Sequence, residues 1–312
     1  MTTQTMRAMS VGSAGGPEVL TEVELPVPEP GSSQVLVRVH AAGVNPTDWK
    51  HRAGVISFRE PPVVLGWDVS GVVERVGYGV TLFQPGDEVF GMLPYPHGAG
   101  AYAEYVVGPT RAFVAKPSEV DHEQAAAIPL AALTAYQALV DTADVREGQR
   151  VLIHGAAGGV GHLAVQIAKA RGAYVYGTAS AGRHDFLRGI GVDEPIDYHA
   201  VDFADVVSDL DVVLDAVGQY AVRSLPVLRR GGTFVTILPP GDVAAEAERR
   251  GVRVATLLVE YDHAGMAAIA DLVASGRLRA TIAGSFPLAD VAKAHELGET
   301  NRTAGKLVLT VR

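Results

Sequence analysis

The stretch Val151-Leu-Ile-His-Gly-Ala-Ala-Gly-Gly-Val-Gly161 decides how the middle of this chain folds. An apolar strand pattern, Arg150–His154, leads into the glycines, and a helical pattern to about Arg171 follows them. This order of strand, glycine loop and helix cradles a dinucleotide pyrophosphate, with the helix N-terminus facing the anion. The sequence therefore predicts a dinucleotide-binding loop, rather than a merely structural glycine turn, formed by Ala157, Gly158, Gly159, Val160 and Gly161.

The residues of this loop have separate tasks. The spacing is AxGxxG, with Ala156 where the usual GxGxxG pattern has its first glycine. Gly158 and Gly159 let backbone N–H groups approach a phosphate closely, and Gly161 lets the helix pack against the strand.

Strands and helices alternate around the loop, which predicts a parallel, doubly wound sheet. The predicted strands are Tyr174–Thr178, Asp211–Asp215, Thr233–Leu238 and Val252–Val259. The predicted helices lie near Asp185–Ile190, from the end of the strand Asp211–Asp215 to Leu228, and over His263–Ser275. An alanine-rich helix, Asp121–Asp144, capped by Asp121 and bent at Pro129, precedes this region.

The first 120 residues are β-rich instead. Short strands are predicted at Val35–Val39, Val69–Val76 and Asp87–Met92, and proline and glycine turns separate them. Many short strands separated by such turns favour a barrel-like domain. We expect the terminal strand, Lys306–Val311, to return to it. The predicted domains are therefore residues 1–124 with 280–312, and residues 125–279.

Composition limits the classes of protein. The 312 residues suffice for about two domains. With a net charge of −9, the chain is a poor candidate for non-specific nucleic-acid binding. It has no cysteine, which excludes disulfides and thiolate-bound zinc. The lack of disulfides fits a cytoplasmic setting, which we expect for this protein. No apolar run approaches the roughly 18 residues of a membrane span, so we expect no membrane attachment.

The end of the second strand of the sheet predicts which dinucleotide binds. An acidic residue there usually holds the ribose 2′-hydroxyl of NAD. This chain has no acid before Asp185 and has Ser180 and Arg183 instead, a hydroxyl and a guanidinium suited to a 2′-phosphate. We therefore expect NADPH as the cofactor. The alternative is that Arg183 is a solvated residue at the start of a helix.

Several motifs accompany the loop in a fixed order. They are Ala42-Gly-Val-Asn-Pro-Thr-Asp48, Gly66-Trp-Asp-Val-Ser-Gly-Val-Val73, Gly86-Asp-Glu-Val-Phe90, Leu133-Thr-Ala-Tyr136 and Gly305-Lys-Leu-Val-Leu309. Over almost its whole length the chain resembles the zinc-free quinone oxidoreductase (zeta-crystallin-like) branch of the medium-chain dehydrogenase/reductase superfamily. The resemblance implies an α/β protein with a GroES-like β-barrel catalytic domain and a Rossmann domain, a doubly wound parallel sheet that binds the cofactor.

The resemblance also indicates whether the protein binds a metal and which reaction it catalyses. The zinc-dependent branch has a cysteine where this chain has Asn45, and a Gly-His-Glu motif where it has Gly66-Trp67-Asp68. We therefore expect no metal. Without a Lewis acid an alkoxide lacks its stabiliser, whereas an electrophilic quinone or enone accepts a hydride without that help. The expected reaction is hydride transfer from NADPH to a small quinone or α,β-unsaturated carbonyl.

Cofactor residues carry over by position. Asn45 resembles the asparagine near the nicotinamide, Thr134 a threonine beside its ribose, and Tyr198 a tyrosine at the adenosine phosphate. Three further candidates lie at strand ends or on the returning strand: Val217, Leu238 and Lys306. The structural alternatives are an Asn-Pro turn for Asn45, a helix-interior hydroxyl for Thr134, a strand-end aromatic for Tyr198 and a solvated lysine for Lys306.

The catalytic acid is less well indicated. Besides Asn45, the catalytic candidates are Lys50, as an oxyanion stabiliser, and Tyr102, which shares a glycine-rich loop with Tyr95 and His97. Water as the proton source, and Lys50 as a surface residue, are the alternatives. Asp48 is expected to orient local backbone.

Two other functions stay open. One is reduction of an enoyl thioester or polyketide intermediate, and the other is a non-catalytic NADPH sensor. The apolar strand Val252–Val259 would be a poor exposed edge, so we expect a homodimer that covers it.

Overall fold

Two units make up the chain in a computed structural model that describes residues 4–56 and 62–312. The first combines Met1–Ala131 with Glu260–Arg312, and the second is Ala132–Val259. The predicted boundaries at 124/125 and 279/280 therefore differ from the unit limits. The helix His263–Ala274 belongs to the first unit, where the His263 ring donates a hydrogen bond from Nδ1 to the Phe113 carbonyl (3.0 Å).

The first unit holds ten strands and four helices among the described residues, and a fifth helix crosses its boundary. Its strands are β1 (Thr5–Val11), β2 (Leu20–Pro26), β3 (Gln34–Val44), β4 (Val63–Val64), β5 (Asp68–Val76), β6 (Glu88–Met92), β7 (Tyr105–Pro109), β8 (Phe113–Ala115), β15 (Ile282–Pro287) and β16 (Lys306–Thr310). Its helices are α1 (Pro46–Arg52), α2 (His122–Ala126), α9 (His263–Ala274) and α10 (Val291–Glu299), with α3 (Pro129–Tyr136) crossing the boundary.

Strand β3 organises the larger sheet of this unit. The order is β15-β16-β3-β5-β6-β8, with β7 also pairing β3, and a smaller sheet has the order β2-β1-β4. Strand β16 pairs antiparallel with β3, so that Leu309 lies opposite Ala42. The predicted return of the terminal strand to the first domain is confirmed. Because β3 is packed on both faces, Val35, Leu36 and Val37 are all fully buried.

The second unit alternates strands and helices as predicted. Its strands are β9 (Arg150–His154), β10 (Tyr174–Ala179), β11 (Glu194–Asp197), β12 (Leu210–Asp215), β13 (Leu228–Thr236) and β14 (Arg253–Thr256). Its helices are α4 (Gly161–Ala170), α5 (His184–Gly189), α6 (Phe203–Val206), α7 (Ala221–Ser224) and α8 (Ala244–Arg250). The order β11-β10-β9-β12-β13-β14, all parallel, is the Rossmann arrangement.

The helical stretch between the units is more broken than predicted. Asp121 does cap α2, since its carboxylate accepts the Gln124 N–H at 2.8 Å. The helix then stops after Ala126, restarts at Pro129 and continues as a π-helix over Gln137–Thr142. Proline lacks an N–H and fits a first helical turn, so Pro129 starts a new helix rather than bending one.

Candidate active site

The glycine loop of the second unit is shaped for close approach. Gly161 begins α4, and a Cβ there would lie 2.2 Å from the Gly155 carbonyl oxygen, a backbone atom that cannot move aside cheaply. The Gly158 N–H donates to the same oxygen (2.9 Å), which closes a tight turn. Ala157, Gly158, Gly159 and Val160 remain half-exposed at the start of the helix. The backbone thus forms a cradle that fits a dinucleotide pyrophosphate.

Neighbouring strand ends meet this loop. The Asp215 carboxylate at the end of β12 accepts the N–H groups of Val217 (2.9 Å) and Gly218 (2.8 Å). A Cβ on Gly218 would lie 2.5 Å from Leu238, and one on Gly155 would lie 2.8 Å from Val217. The structure therefore brings Val217 and Leu238 together with the glycine loop. This is the edge where sheets of this kind bind ligands.

The remaining predicted cofactor residues of this unit lie on other elements. Ser180 directly follows β10 and is half-buried, and Arg183 is exposed just before α5. Tyr198 follows β11, is 48% exposed and packs on the His199 ring. Thr134 is buried in α3. Burial of Thr134 is also compatible with the alternative of a helix-interior hydroxyl.

In the first unit, Asn45 is the centre of a buried polar network with Lys306 and Asp68. The Asn45 amide donates from Nδ2 to Asp68 Oδ2 (2.8 Å), and its Oδ1 accepts a hydrogen bond from the Lys306 ammonium. The ammonium also donates to the Val44 carbonyl (2.9 Å) and lies 3.7 Å from Asp68 Oδ2. Both polar ends of Asn45 are therefore held by residues of this network.

The two charges of this network are fully buried. Burial raises the pKa of the Asp68 carboxyl and lowers the pKa of the Lys306 ammonium, and the attraction between them opposes both shifts. Asp68 Oδ1 also accepts the Leu130 N–H (2.7 Å). Lys306 is thus not the solvated lysine of the alternative interpretation.

Asp48 is a second buried carboxyl in this region. Its Oδ2 accepts the Asn45 N–H at 2.6 Å, which fixes the residue before α1, as expected. Burial raises the pKa of Asp48 to about 7, although its hydrogen bond with Asn45 and the nearby Tyr102 hydroxyl oppose the shift. Within the described part of the chain, Oδ1 has no hydrogen-bond partner.

Tyr102 belongs to a chain of buried side chains that runs to α10. Its hydroxyl lies 3.3 Å from His295 Nε2, and Arg52 Nη1 lies 3.3 Å from His295 Nδ1. Since a guanidinium only donates, Nδ1 must accept and Nε2 carries the proton. Burial and Arg52 lower the pKa of His295 to about 3, which keeps the ring neutral. The full burial of Tyr102 favours a positioning role over contact with a substrate.

A half-buried cluster of Thr47, His51 and Tyr95 lies beside Trp67. Thr47 Oγ1 is 3.2 Å from the Tyr95 hydroxyl and 3.2 Å from His51 Nδ1. The Trp67 ring packs 5.0 Å from His51 and edge-on to Tyr95 at 5.3 Å. Of the remaining loop and helix candidates, Lys50 is half-buried on α1 and His97 is exposed.

Comparison with known proteins agrees with this architecture. Residues 31–118 match the family described as alcohol dehydrogenase GroES-like domain, and residues 190–309 match the zinc-binding dehydrogenase family. The chain is 34% identical to quinone oxidoreductase of Homo sapiens, covering 97% of both chains. It is equally identical to an NADPH-dependent alkenal/one oxidoreductase of Arabidopsis thaliana, over 97% of this chain and 79% of the relative.

The structural relatives point the same way. The quinone oxidoreductase structure from Coxiella burnetii has a TM-score of 0.92 and 37% identity, covering 99% of this chain and all of the relative. The chain belongs to the quinone oxidoreductases of the medium-chain dehydrogenase/reductase superfamily. It is therefore an oxidoreductase of a superfamily that binds nicotinamide cofactors, and the predicted GroES-like and Rossmann domains are confirmed.

The zinc that one matching family is named for does not fit the residues of this oxidoreductase. Asn45 already uses both ends of its amide, and the Trp67 indole nitrogen bears a hydrogen and cannot ligate. Both oxygens of Asp68 are engaged as well. Across residues 4–56 and 62–312, no three or more His, Cys, Asp or Glu side chains group as metal ligands. No helix in these ranges is long and apolar enough to cross a membrane.

Sequence reasoning missed several residues of this oxidoreductase that the structure brings together. Arg52 and His295 are far apart in the chain and carry no local motif, so only the fold places them beside Tyr102. Thr47 and His51 did carry a signal. They are four residues apart on one helix, which puts their side chains on the same face.

Proposed function

We propose that this oxidoreductase uses NADPH to reduce a quinone or an α,β-unsaturated carbonyl. The observation that carries the proposal is the buried network of Asn45, Lys306 and Asp68. By resemblance, the zinc-dependent branch has a cysteine in place of Asn45 and a Gly-His-Glu motif in place of Gly66-Trp67-Asp68. An alcohol substrate would need a Lewis acid to stabilise its alkoxide, whereas an activated acceptor does not. The names of the human and Arabidopsis relatives support the same substrate classes.

The choice of NADPH rests on the second unit. The cradle at Gly158 and Gly161 fits a pyrophosphate, and the residue that follows the neighbouring strand β10 is Ser180 rather than an acid. Arg183 then offers a guanidinium that suits a 2′-phosphate. When bound, the cofactor supplies the hydride. The residues of the chain bind it, and the network around Lys306 holds Asn45 in one orientation.

Kinetics with both reduced nicotinamides test this proposal. The wild-type protein, Arg183→Ala and Arg188→Ala are assayed on an ortho-quinone, a para-quinone, a simple enone and an enoyl thioester, following loss of the reduced cofactor's absorbance. Losing a charged hydrogen bond costs about 1.5–3 kcal/mol, so Arg183→Ala should raise the KM for NADPH about 10- to 100-fold. Its KM for NADH should stay unchanged.

Arg188→Ala is the matched control for Arg183→Ala. Arg188 is exposed and pairs with Asp185 on the surface of α5, so Arg188→Ala should leave both KM values unchanged. If Arg183→Ala raised the KM for NADPH and the KM for NADH equally, the proposal that Arg183 binds the 2′-phosphate would be wrong. Tight NADPH binding without turnover of any acceptor would contradict the reductase and point to a sensor. Turnover of the thioester alone would favour the alternative substrate class.

We also infer a homodimer. Strand β14 is an edge of the parallel sheet, and it presents unpaired backbone groups to which a second copy would add.

A further inference from the structure

Two carbonyl oxygens of the glycine loop are engaged by N–H groups of the chain itself. The Gly155 oxygen accepts the Gly158 N–H (2.9 Å), and the Gly158 oxygen accepts the His162 N–H (3.1 Å). A carbonyl oxygen that faced a phosphate would repel it, because both carry negative charge. The loop therefore suits an anion best while its own donors hold these oxygens.

The side chain of His162 adds a second donor to one of these oxygens. His162 Nδ1 lies 2.8 Å from the Gly158 oxygen. Since a carbonyl oxygen only accepts, Nδ1 carries a hydrogen and donates it. The side chain is fully buried in the first turn of α4, where a hydrogen bond is stronger than in water.

The peptide unit between Gly158 and Gly159 carries this constraint to the other side of the loop. The unit is trans, so its C=O and N–H groups point in opposite directions within one plane. Because the Gly158 oxygen points into the first turn of α4, the Gly159 N–H points out of the helix N-terminus. An anion approaches a helix N-terminus from that side.

Packing alone does not account for a polar ring at this position. The next three residues of α4, Leu163, Ala164 and Val165, are apolar and fully buried, as the interior of this unit requires. Burying an imidazole has a cost that hydrogen bonds must offset. The bond to the Gly158 oxygen is one that does so, and it lies directly beside the pyrophosphate cradle.

We propose that His162 is a positioning residue of the cofactor site. Its ring holds the Gly158 carbonyl group, so that the Gly159 N–H faces the cofactor pyrophosphate. The proposal rests on the proposed function in one respect, since it needs a dinucleotide in this cradle, and it is independent of the acceptor that is reduced.

Two substitutions of equal size test this role. Asparagine and leucine both place two atoms at the δ positions of the histidine ring and lack the rest of it, but only asparagine keeps an N–H donor there. We expect His162→Leu to raise the KM for NADPH about 5- to 10-fold, the effect of one lost hydrogen bond, and His162→Asn to stay within about twofold of wild type. The kcat at saturating NADPH should not change in either variant.

Stability separates positioning from packing. Leucine is a better helix former than asparagine and gains more from burial, so His162→Leu should have the higher melting temperature of the two. The order of their NADPH affinities should be the reverse. If NADPH affinity instead follows stability, His162 acts through packing and the positioning role is overturned.

Three ligands show where the effect arises. NADPH, NADH and ADP-ribose all contain the pyrophosphate, so His162→Leu should weaken their binding by the same factor in calorimetric titrations. Arg183→Ala should weaken NADPH alone. An effect of His162→Leu that is confined to NADPH would contradict the proposal.

Lys169→Met is the control for damage to α4. Lys169 lies two turns beyond His162 and donates hydrogen bonds to the Ala173 carbonyl (3.0 Å) and to the Asp193 carboxylate (2.8 Å). Losing these bonds should lower the melting temperature and leave NADPH affinity unchanged.

The binding measurements separate this proposal from the proposed function. If the wild-type protein binds NADPH but reduces no acceptor, the reductase assignment fails, and the comparison of His162→Leu with His162→Asn still decides the role of His162. If the wild-type protein reduces its acceptors and His162→Leu keeps wild-type affinity for all three ligands, the reductase stands and the positioning role is overturned. If the wild-type protein binds none of the three ligands, both proposals are wrong.

Discussion

Asp48 is a carboxyl group that folding removes completely from water. One of its oxygens accepts the Asn45 N–H, while the other has no partner among the described residues. Its charged form is therefore incompletely compensated, and burial raises the pKa to about 7. The same carboxyl fixes the backbone before α1, so a local cost in stability accompanies the placement of Asn45.

This predicts a pH-dependent effect of Asp48→Asn. Because the pKa of Asp48 is higher in the folded than in the unfolded chain, the folded state binds more protons between pH values of about 4 and 7. Wild-type stability contributed by this group is therefore lost as pH rises through that window. The unfolding free energy of the variant minus that of the wild type should therefore be about 3 kcal/mol larger at pH 8 than at pH 5.

Urea unfolding of both proteins at the two pH values measures this difference. Asparagine retains an oxygen that can accept the Asn45 N–H, so the fold should persist. A difference between variant and wild type that does not change with pH would show that Asp48 titrates as an ordinary carboxyl.

Single residues also show how far the sequence leads. Asn45 and Lys306 were both candidates from the resemblance, but nothing in their local sequence indicates that they bond each other across 261 positions. Burial of a lysine depends on strand β16 returning beside β3, which is a long-range event. The side chains can be named from sequence, whereas their partners follow from the fold.

The junction of β9 and α4 depends on Gly161. A Cβ at this position would meet backbone, namely Gly155 oxygen at 2.2 Å and Ala156 Cα at 2.8 Å. Gly161→Ala therefore has to displace the helix or the loop. We expect a loss of about 1–3 kcal/mol in the unfolding free energy from this overpacking. We also expect NADPH affinity to fall at least about tenfold, roughly 1.4 kcal/mol.

Gly189→Ala provides the matched control for this prediction. Gly189 ends α5, and a Cβ there would meet nothing within 4 Å. This variant should keep its NADPH affinity and its stability. Chemical denaturation and titration of cofactor fluorescence check both variants. Wild-type affinity in Gly161→Ala would mean that the loop tolerates a side chain and does not need its close backbone contact.

The sequence predicts regular elements of both units well where the apolar pattern is strong. The strand Arg150–His154 has the predicted limits, and His263–Ala274 differs from its prediction by one residue. The strand β11 was not predicted, because four residues that include Pro195 carry too little pattern. The helix after β12 is likewise only Ala221–Ser224, followed by a short 3₁₀ turn.

The edge strand β14 is the surface on which two copies of the chain would pair. The hydrogen bond from Leu257 N to Thr236 O shows which N–H groups point into the sheet. Since backbone groups alternate along a strand, the Thr256 N–H points outward, towards a partner strand in the proposed homodimer. Proline at this position removes that outward donor and leaves the bonds to β13 intact.

Thr256→Pro should therefore convert a dimer of twice the 32.7 kDa chain mass into a monomer. Light scattering after size-exclusion chromatography measures this change, and Thr256→Ala, which keeps the N–H, should stay dimeric. NADPH affinity should survive in the monomer, because the cradle is built from β9, α4 and the ends of β12 and β13 within one chain. A wild-type monomer would contradict the homodimer outright. A Thr256→Pro dimer would place the contact on a surface other than β14.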